Sequence, residues 1–178
     1  EGFFGPAAQL HHRHPPTGWL RFEGPLRPHA YDLNRVRAAA SPWQAPVILS
    51  NAACQIRMWH TSGNMDHLAR NADGDQVLFV HEGSGEFFCD YGHLAFRDGD
   101  YLLLPRGTAW RLECAGNAAI LMIEATSDSY GLPNKGPVGR QAIFDPGVLD
   151  TPRIDEAFQA QYAERETVTM VKRQNRLT

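Results

Sequence analysis

The segment Gly99 to Trp110, GDYLLLPRGTAW, contains two strand signals joined by a turn. The apolar run Tyr101 to Leu104 follows the turn residues Asp98 to Asp100, where a glycine is free to take a positive φ. The sequence Pro105 to Gly107 predicts a second turn, after which another strand begins. The segment therefore predicts short strands with tight connections, the organisation of antiparallel sheets.

Short strand signals of this kind follow one another through the middle of the chain. They are separated by Gly, Asn and Asp and are not interrupted by a helical period, which is typical of an antiparallel sandwich or barrel. Asp90 to Gly92 fits a tight hairpin. Eight short strands predict an all-β jelly roll. The predicted strands are Val47 to Ser50, Gln55 to His60, Val77 to His81, Glu86 to Cys89, His93 to Phe96, Tyr101 to Leu104, Trp110 to Cys114 and Ala118 to Glu124.

The sequence on either side of the predicted barrel is irregular. Because the chain begins at Glu1 and a strand near its end has no complete return partner, we expect the natural protein to be longer. We predict an extended N-terminal arm at residues 1–46, the barrel at 47–127, and a loop, short helix and truncated hairpin at 128–178. Within the last region, the loop is Ser129 to Gly147, the helix Ile154 to Tyr162, the strand Thr167 to Val171 and the turn Gln174 and Asn175.

Composition excludes several classes of protein. The chain has 178 residues, 43% of them hydrophobic and 21% charged, which predicts one ordinary globular domain with flanking arms. A net charge of -3 without a basic run argues against a nucleic-acid partner, and no apolar run approaches the roughly 20 residues of a membrane span. Cys54, Cys89 and Cys114 lack CxxC spacing, which predicts reduced thiols and a cytoplasmic location.

Two segments resemble the sequence motifs of the cupin β-barrels. Asn71 to Gly85, NADGDQVLFVHEGSG, resembles the first motif, and Gly99 to Trp110 resembles the second. The resemblance implies a cupin-type double-stranded β-helix, in which a metal is usually bound by two His and one Glu of the first motif and one His of the second. In this chain the four ligand positions hold residues that are not ligands of the usual type: Ala69, Asn71, Gln76 and Trp110.

The substitution at these positions predicts a barrel without metal. Trp110 is expected to be a core filler, since an indole occupies much of the space that a metal, its water and an imidazole would need. An alternative is a rearranged metal site built from His60, His67 and His81. We interpret these three instead as polar residues at strand ends.

A second group of histidines precedes the barrel. His11, His12 and His14 could bind a metal, because imidazole is the commonest protein ligand. The group precedes Pro15 and Pro16. We expect it to form surface hydrogen bonds.

Three charged residues of the motifs also have two interpretations. Asp73 and Asp75 could belong to an active site, but Asx side chains in an Asn-Ala-Asp-Gly-Asp sequence are typical of a turn. Arg106 could bind an anion. We expect instead a fixed turn whose Arg pairs with a nearby Asp.

The ordered motifs together resemble the homogentisate dioxygenases and their close relatives, specifically the N-terminal half of one. The resemblance is carried by Arg70 to Gly85, Gly99 to Gly107 and Leu132 to Gly139, and it covers most of the chain from about Leu10 onward. It implies a two-cupin enzyme in which a mononuclear non-haem iron opens the ring of homogentisate with O2, a step in tyrosine and phenylalanine breakdown. A small aromatic acid, O2 and copies of the same subunit are the implied partners.

In that family the iron ligands belong to the second cupin, which this sequence does not contain. The resemblance therefore assigns no catalytic, cofactor-binding or metal-binding residue to this chain, which we expect to be inactive alone. Because Asn134 and Lys135 depart from well-known members, the substrate could be another dihydroxylated aromatic acid. A stand-alone, non-catalytic cupin that binds a small molecule in an apolar barrel mouth is the alternative function.

Overall fold

The computed structural model describes residues 11, 13–14, 18, 20–131, 145–163 and 167–178. The chain divides into two compact units, one comprising Glu1–Asp32 with Gly131–Leu149 and the other Leu33–Tyr130 with Asp150–Thr178. His12 and the Leu132 to Gly139 motif lie outside the described residues.

The larger unit contains two β-sheets. A five-stranded sheet has the order β1-β2-β9-β4-β7, and a six-stranded sheet has the order β11-β10-β3-β8-β5-β6. Every pairing is antiparallel except that of β10 with β3. The strands are β1 Val47–Ser50, β2 Cys54–Thr61, β3 Leu68–Asn71, β4 Gly74–Glu82, β5 Gly85–Cys89, β6 Gly92–Phe96, β7 Tyr101–Leu104, β8 Ala109–Cys114, β9 Ala118–Thr126, β10 Thr169–Arg173 and β11 Arg176–Leu177.

The order of these strands is that of a jelly roll. Counting β2 to β9 as the first to eighth strands, one sheet has the order 1-8-3-6 and the other 2-7-4-5. Strands that are distant in sequence pair within each sheet, as the Greek-key connections of an eight-stranded jelly roll require. The predicted all-β cupin fold is confirmed.

The core fills the space between the two sheets. Along β4, buried Gln76, Leu78 and Val80 alternate with less buried residues, which is the period expected of a strand with one inward face. The fully buried Trp59 and Trp110 contribute the largest side chains. Trp43, from the region predicted to be an arm, also joins this core. The inner faces are therefore closely occupied by side chains.

The predicted strands all exist, but β3 and β11 were missed. The short strand β11 pairs antiparallel with β10, so the expectation that β10 has no complete return partner was wrong. Strand β3, Leu68–Asn71, carries an Arg and an Asn in only four residues and gave no apolar pattern. The predicted C-terminal strand lies at Thr169–Arg173, and Gln174 and Asn175 form the expected turn with positive φ. Strand β10 runs parallel to β3, a long-range pairing that sequence alone did not indicate.

The turns and the short helix agree with their residue types. Gly107, with φ 88°, follows Arg106 in the turn before β8, and its backbone N–H donates to the Asn71 carbonyl at 2.7 Å. The α-helix, α1, spans Glu156–Ala160 and is capped by Asp155, whose Oδ1 accepts from the Phe158 N–H at 2.9 Å. The predicted helix, Ile154 to Tyr162, thus begins two residues later and continues as a 3₁₀ turn, Gln161–Ala163.

No helix in the described ranges has the length and apolar character needed to cross a membrane.

The smaller unit shows only local structure in its described residues. The rings of His29 and Tyr31 stack with centroids 5.9 Å apart. A 3₁₀ turn at Pro146–Val148 is capped by Asp145, whose Oδ1 accepts from the Gly147 N–H at 2.9 Å.

Candidate functional site

The four residues at the expected ligand positions are all buried on strands that face the core. Ala69 and Asn71 lie on β3, Gln76 on β4 and Trp110 on β8. Their exposed fractions are 0%, 3%, 2% and 0% respectively. The fold thus places the four side chains on inner faces of the barrel, where residues of a cupin metal centre would lie. Their assignment as the ligand positions stays a prediction.

Trp110 occupies interior space through aromatic packing. Its ring meets that of Trp59 edge-on, with centroids 6.3 Å apart, and lies beside the Phe87 ring at the same centroid distance. Ala69 is its direct partner across the β3–β8 ladder. A small residue opposite a large one allows such rings to fit at normal packing density. The packing of Trp110 is that of a core residue.

The donor chemistry of these positions does not fit a non-haem iron. Ala69 has no donor atom, and the indole N–H of Trp110 can donate a hydrogen bond but offers no lone pair. Asn71 and Gln76 contribute neutral carboxamides, whereas a non-haem iron of this kind is bound by imidazole and carboxylate. Asn71 Oδ1 already accepts the Asp73 N–H at 2.9 Å. These four residues therefore do not form an iron centre of the imidazole and carboxylate type.

Four buried side-chain polar atoms on or next to these strands have no hydrogen-bond partner in the described part of the chain. They are Arg70 Nε, Asn71 Nδ2, Thr108 Oγ1 and Trp110 Nε1. Thr108 precedes Trp110 by two residues, next to the turn whose Gly107 N–H binds the Asn71 carbonyl. Unpaired buried groups cost about 1 to 3 kcal/mol each. The barrel interior near these positions therefore contains unpaired polar atoms, and hydrophobic packing alone does not explain why they are buried there.

The histidines considered as alternative ligands are held apart by separate contacts. His60 Nε2 lies 3.0 Å from the Leu33 carbonyl oxygen. His67 is buried, with Nδ1 2.7 Å from Asp66 Oδ1 and Nε2 3.1 Å from Ser41 Oγ. His81 is exposed on β4. The described residues include no group of three or more His, Cys, Asp and Glu side chains placed to hold a metal ion.

Of the N-terminal histidines, His11 and His14 are exposed. Their expected surface hydrogen bonds stay a prediction.

Asp75 connects separate loops. Its Oδ1 accepts the backbone N–H of Arg106 at 2.7 Å and its Oδ2 that of Tyr130 at 2.9 Å. The expected link between Arg106 and an Asp is therefore present, but it is made by the Arg backbone and not by its guanidinium. The sequence pattern could not distinguish these two donors.

Asp73 takes part in a buried ionic cluster that sequence reasoning missed. Lys172, on β10, is 2% exposed, and its Nζ lies 2.8 Å from Asp73 Oδ2. The same Nζ lies 2.9 Å and 3.0 Å from the two carboxylate oxygens of Glu124. Burial would raise the pKa of the Asp73 carboxyl, but hydrogen bonds from Lys172 and from the Asn175 and Gln174 amides outweigh it and hold the pKa below its usual value. A lysine among apolar strand residues was the only signal available in the sequence.

A second ionic group lies on the outer side of the six-stranded sheet. His93 Nε2 is 2.6 Å from Glu86 Oε2, and its Nδ1 is 2.8 Å from Asp155 Oδ2. Burial lowers the pKa of His93, but hydrogen bonds to Asp155 and Glu86 more than offset this and raise it above its ordinary value. The His93 ring therefore links the cap of α1 to strands β5 and β6.

A cavity of about 320 Å³ lies beside this group. Its lining includes Leu68, Phe88 and Arg111, which alternate along their strands with core residues, so the cavity opens on the outer face of the sheet. Arg111 donates to Glu113 and to Gln161 there. The core residue Cys89 also lines the cavity, together with Phe158 and Gln161 of the C-terminal region.

The three cysteines are free thiols, with Cys89 and Cys114 buried and Cys54 partly buried. Burial raises the pKa of Cys114 to about 11. Burial is also the main cause that raises the pKa of Cys89. Neither buried thiol has the lowered pKa of a catalytic nucleophile.

Comparisons with known proteins identify the family to which the sequence is similar. Residues 10–177 match the family described as homogentisate 1,2-dioxygenase N-terminal. A Saccharolobus solfataricus protein, named as a candidate dioxygenase, is 26% identical over 69% of this chain and 36% of its own length. The homogentisate 1,2-dioxygenase of Rhodopseudomonas palustris (strain BisA53) is 24% identical over 91% of this chain and 35% of its own length. The chain thus spans about a third of the length of these relatives.

Among solved structures, a cupin-2 domain protein from Shewanella frigidimarina aligns with a TM-score of 0.42 and 22% identity. The alignment covers 47% of this chain and 80% of that protein.

Proposed function

This chain belongs to the homogentisate 1,2-dioxygenase N-terminal family, and on that basis we propose that it is the metal-free N-terminal cupin of a homogentisate 1,2-dioxygenase-like enzyme. The enzyme would open the ring of a dihydroxylated aromatic acid with O2 at a non-haem iron. That iron would be bound by a second cupin outside this chain. The family match over residues 10–177 carries the proposal.

The buried residues support the proposal that this barrel has no iron and that a second barrel carries out the reaction. Trp110 packs against Trp59 and Phe87 at the position where the second cupin motif has its histidine. Gln76 is neutral where the first motif has its glutamate. We therefore assign this barrel a supporting role, in which it shields the catalytic half and contributes to contacts within the assembled enzyme.

An apolar surface on the five-stranded sheet supports the role in assembly. Tyr101 and Leu103 on β7 are 69% and 50% exposed. They pair across the ladder with Phe79 and Val77 on β4, and the rings of Phe79 and Tyr101 lie 4.7 Å apart. Contiguous exposed apolar residues are typical of protein contact surfaces. We propose that this face packs against another subunit of a homo-oligomer.

The proposal also covers the location of the protein, the organisation of its chain and its metabolic setting. The three free thiols support a cytoplasmic location, where disulfides are rare. We also propose that the organisation of the chain is an arm at residues 1–46, a barrel at 47–127 and a connecting region at 128–178. Breakdown of tyrosine and phenylalanine is the metabolic setting that a homogentisate substrate would imply.

The proposal is tested on the protein expressed from the natural reading frame that contains this chain. We expect the frame to encode a second cupin with a His, Glu and His set, and the purified protein to bind stoichiometric iron and consume O2 with homogentisate. If the protein consumes O2 with gentisate or another dihydroxylated aromatic acid instead of homogentisate, that acid is the substrate. A reading frame that ends near Thr178, with no O2 consumption, would favour the stand-alone binding cupin.

A further inference from the structure

The ammonium group of Lys172 is enclosed by oxygen atoms inside the barrel. Its Nζ has three acceptors within 3.0 Å, namely Asp73 Oδ2 and both carboxylate oxygens of Glu124. An ammonium group has three protons to donate, so its hydrogen-bonding capacity is filled. Lysine is almost never fully buried unless it is paired in this way.

Both carboxylates are held in place by other groups. Asp73 also accepts the backbone N–H groups of Gln174 and Asn175, in the turn between β10 and β11. Glu124 Oε1 lies 3.3 Å from the Thr126 hydroxyl. The side chains of Asp73 and Glu124 are 11% and 5% exposed. Their oxygens therefore converge on one point from a preorganised position.

The register of the strands places this cluster next to the expected metal-ligand positions. Lys172 is the partner of Asn71 in the parallel pairing of β10 with β3. Glu124 is the partner of Gln76 in the antiparallel pairing of β9 with β4, so their side chains share a face. The Lys172 ammonium cluster thus lies next to Asn71 and Gln76, two of the four expected metal-ligand positions.

Charge balance requires a cation at this point. Two carboxylates taken out of water cost several kcal/mol each unless a positive charge offsets them. Arg57 is close enough for its charge to act on Glu124, but its guanidinium donates to the Ala45 carbonyl at 2.6 Å and to Gln55. Lys172 is the cation in direct contact with both carboxylates.

We infer that the Lys172 ammonium is the internal cation of this barrel, bound at a carboxylate site that would otherwise take a divalent metal ion. Asp73 and Glu124 supply the three anionic oxygens that now surround the ammonium group. Such hard oxygen donors suit Ca²⁺. The inference does not rest on the proposed function, because it concerns charge balance within this barrel alone.

The test replaces Lys172 by methionine, which keeps an apolar stem and removes the charge. We expect Lys172→Met to lower the melting temperature by about 10 °C in chelator, because an uncompensated buried charge remains. Added Ca²⁺ should recover part of that loss, and calorimetric titration should show one calcium bound. Lys172→Met/Glu124→Gln should lose this binding, and the exposed neighbour variant Arg173→Met should melt like the unmodified protein.

The neutral variant Lys172→Met/Asp73→Asn/Glu124→Gln is the reference for folding, since it has no charge to balance. If Lys172→Met folds only when Ca²⁺ is present, this result also supports the inference, because Ca²⁺ then restores the stability that the lysine provided. The inference is overturned if Lys172→Met melts like the unmodified protein, or if it binds no Ca²⁺. Equal binding of Ca²⁺ by the unmodified protein would overturn it as well. None of these results bears on iron or O2 consumption in the full-length protein, so the two proposals fail separately.

Discussion

Trp110 on β8 lies directly across the antiparallel ladder from Ala69 on β3. Both residues are fully buried, and both occupy positions that we assign to metal ligands of the cupin motifs. The small side chain leaves room for the large one, so the two substitutions fit together sterically. The interior of this barrel is consequently stabilised here by packing.

Replacing Trp110 by histidine should destabilise the fold without creating a metal site. Trp110→His removes a large buried ring and adds a polar nitrogen, at a cost of about 2 to 4 kcal/mol. Denaturant unfolding would measure this loss, with Tyr91→His, at a turn residue that is 58% exposed, as the control. Stoichiometric Fe²⁺ or Zn²⁺ binding by Trp110→His would contradict the interpretation, because Asn71 and Gln76 supply no anionic donor.

The contact of His93 with Glu86 and Asp155 should make stability depend on pH. The folded-state pKa of His93 is raised, so its stabilising contribution is fully present below the unfolded-state pKa near 6.5 and is lost as the pH rises through the folded-state value. We expect His93→Gln to remove this part of the pH dependence, measured by thermal unfolding between pH 5 and 9. His81→Gln, at an exposed position, is the control. A pH profile unchanged in His93→Gln would show that the contact contributes nothing.

Gly74 is required because β4 and β9 approach closely at that residue. A Cβ atom there would lie 1.9 Å from the Ala125 carbonyl oxygen, which belongs to the backbone and cannot rotate away. Gly74→Ala should therefore cost about 3 kcal/mol of unfolding free energy, as overpacking with a backbone shift does. Gly116→Ala, which meets no atom within 4 Å, should change stability by less than about 1 kcal/mol. Equal effects of the two substitutions would refute this explanation.

The thiols should differ in reactivity according to burial. Cys114, with a pKa of about 11, and Cys89, whose pKa is also raised, should resist alkylation at pH 8 in the folded protein. Cys54 is only partly buried and should react first. Mass spectrometry after a timed iodoacetamide pulse would identify the modified residue, with denatured protein as the control. Early modification of Cys114 would mean that this part of the core opens readily.

The sequence predicted local features better than distant pairings. Short apolar runs bounded by Gly, Asn and Asp identified eight strands, because alternation and turn residues act over a few positions. Strand β3 was missed because its inward residues, Ala69 and Asn71, are small or polar. The contact of Lys172 with Asp73 and Glu124 joins residues 99 and 48 positions apart, and no local pattern encodes such a separation. The expected ligand positions could be assigned only because the two cupin motifs have a fixed spacing between their strand, turn and ligand residues.

The proposed role of the barrel depends most on its inability to hold iron. The direct measurement is elemental analysis of the 178-residue chain after anaerobic dialysis with Fe²⁺ and removal of unbound metal. The expected result is no stoichiometric iron in this chain, while the full-length protein treated in the same way retains it. Iron retained at one atom per chain by the 178-residue protein would contradict the account, because the barrel would then contain a metal centre that Ala69, Asn71, Gln76 and Trp110 do not explain.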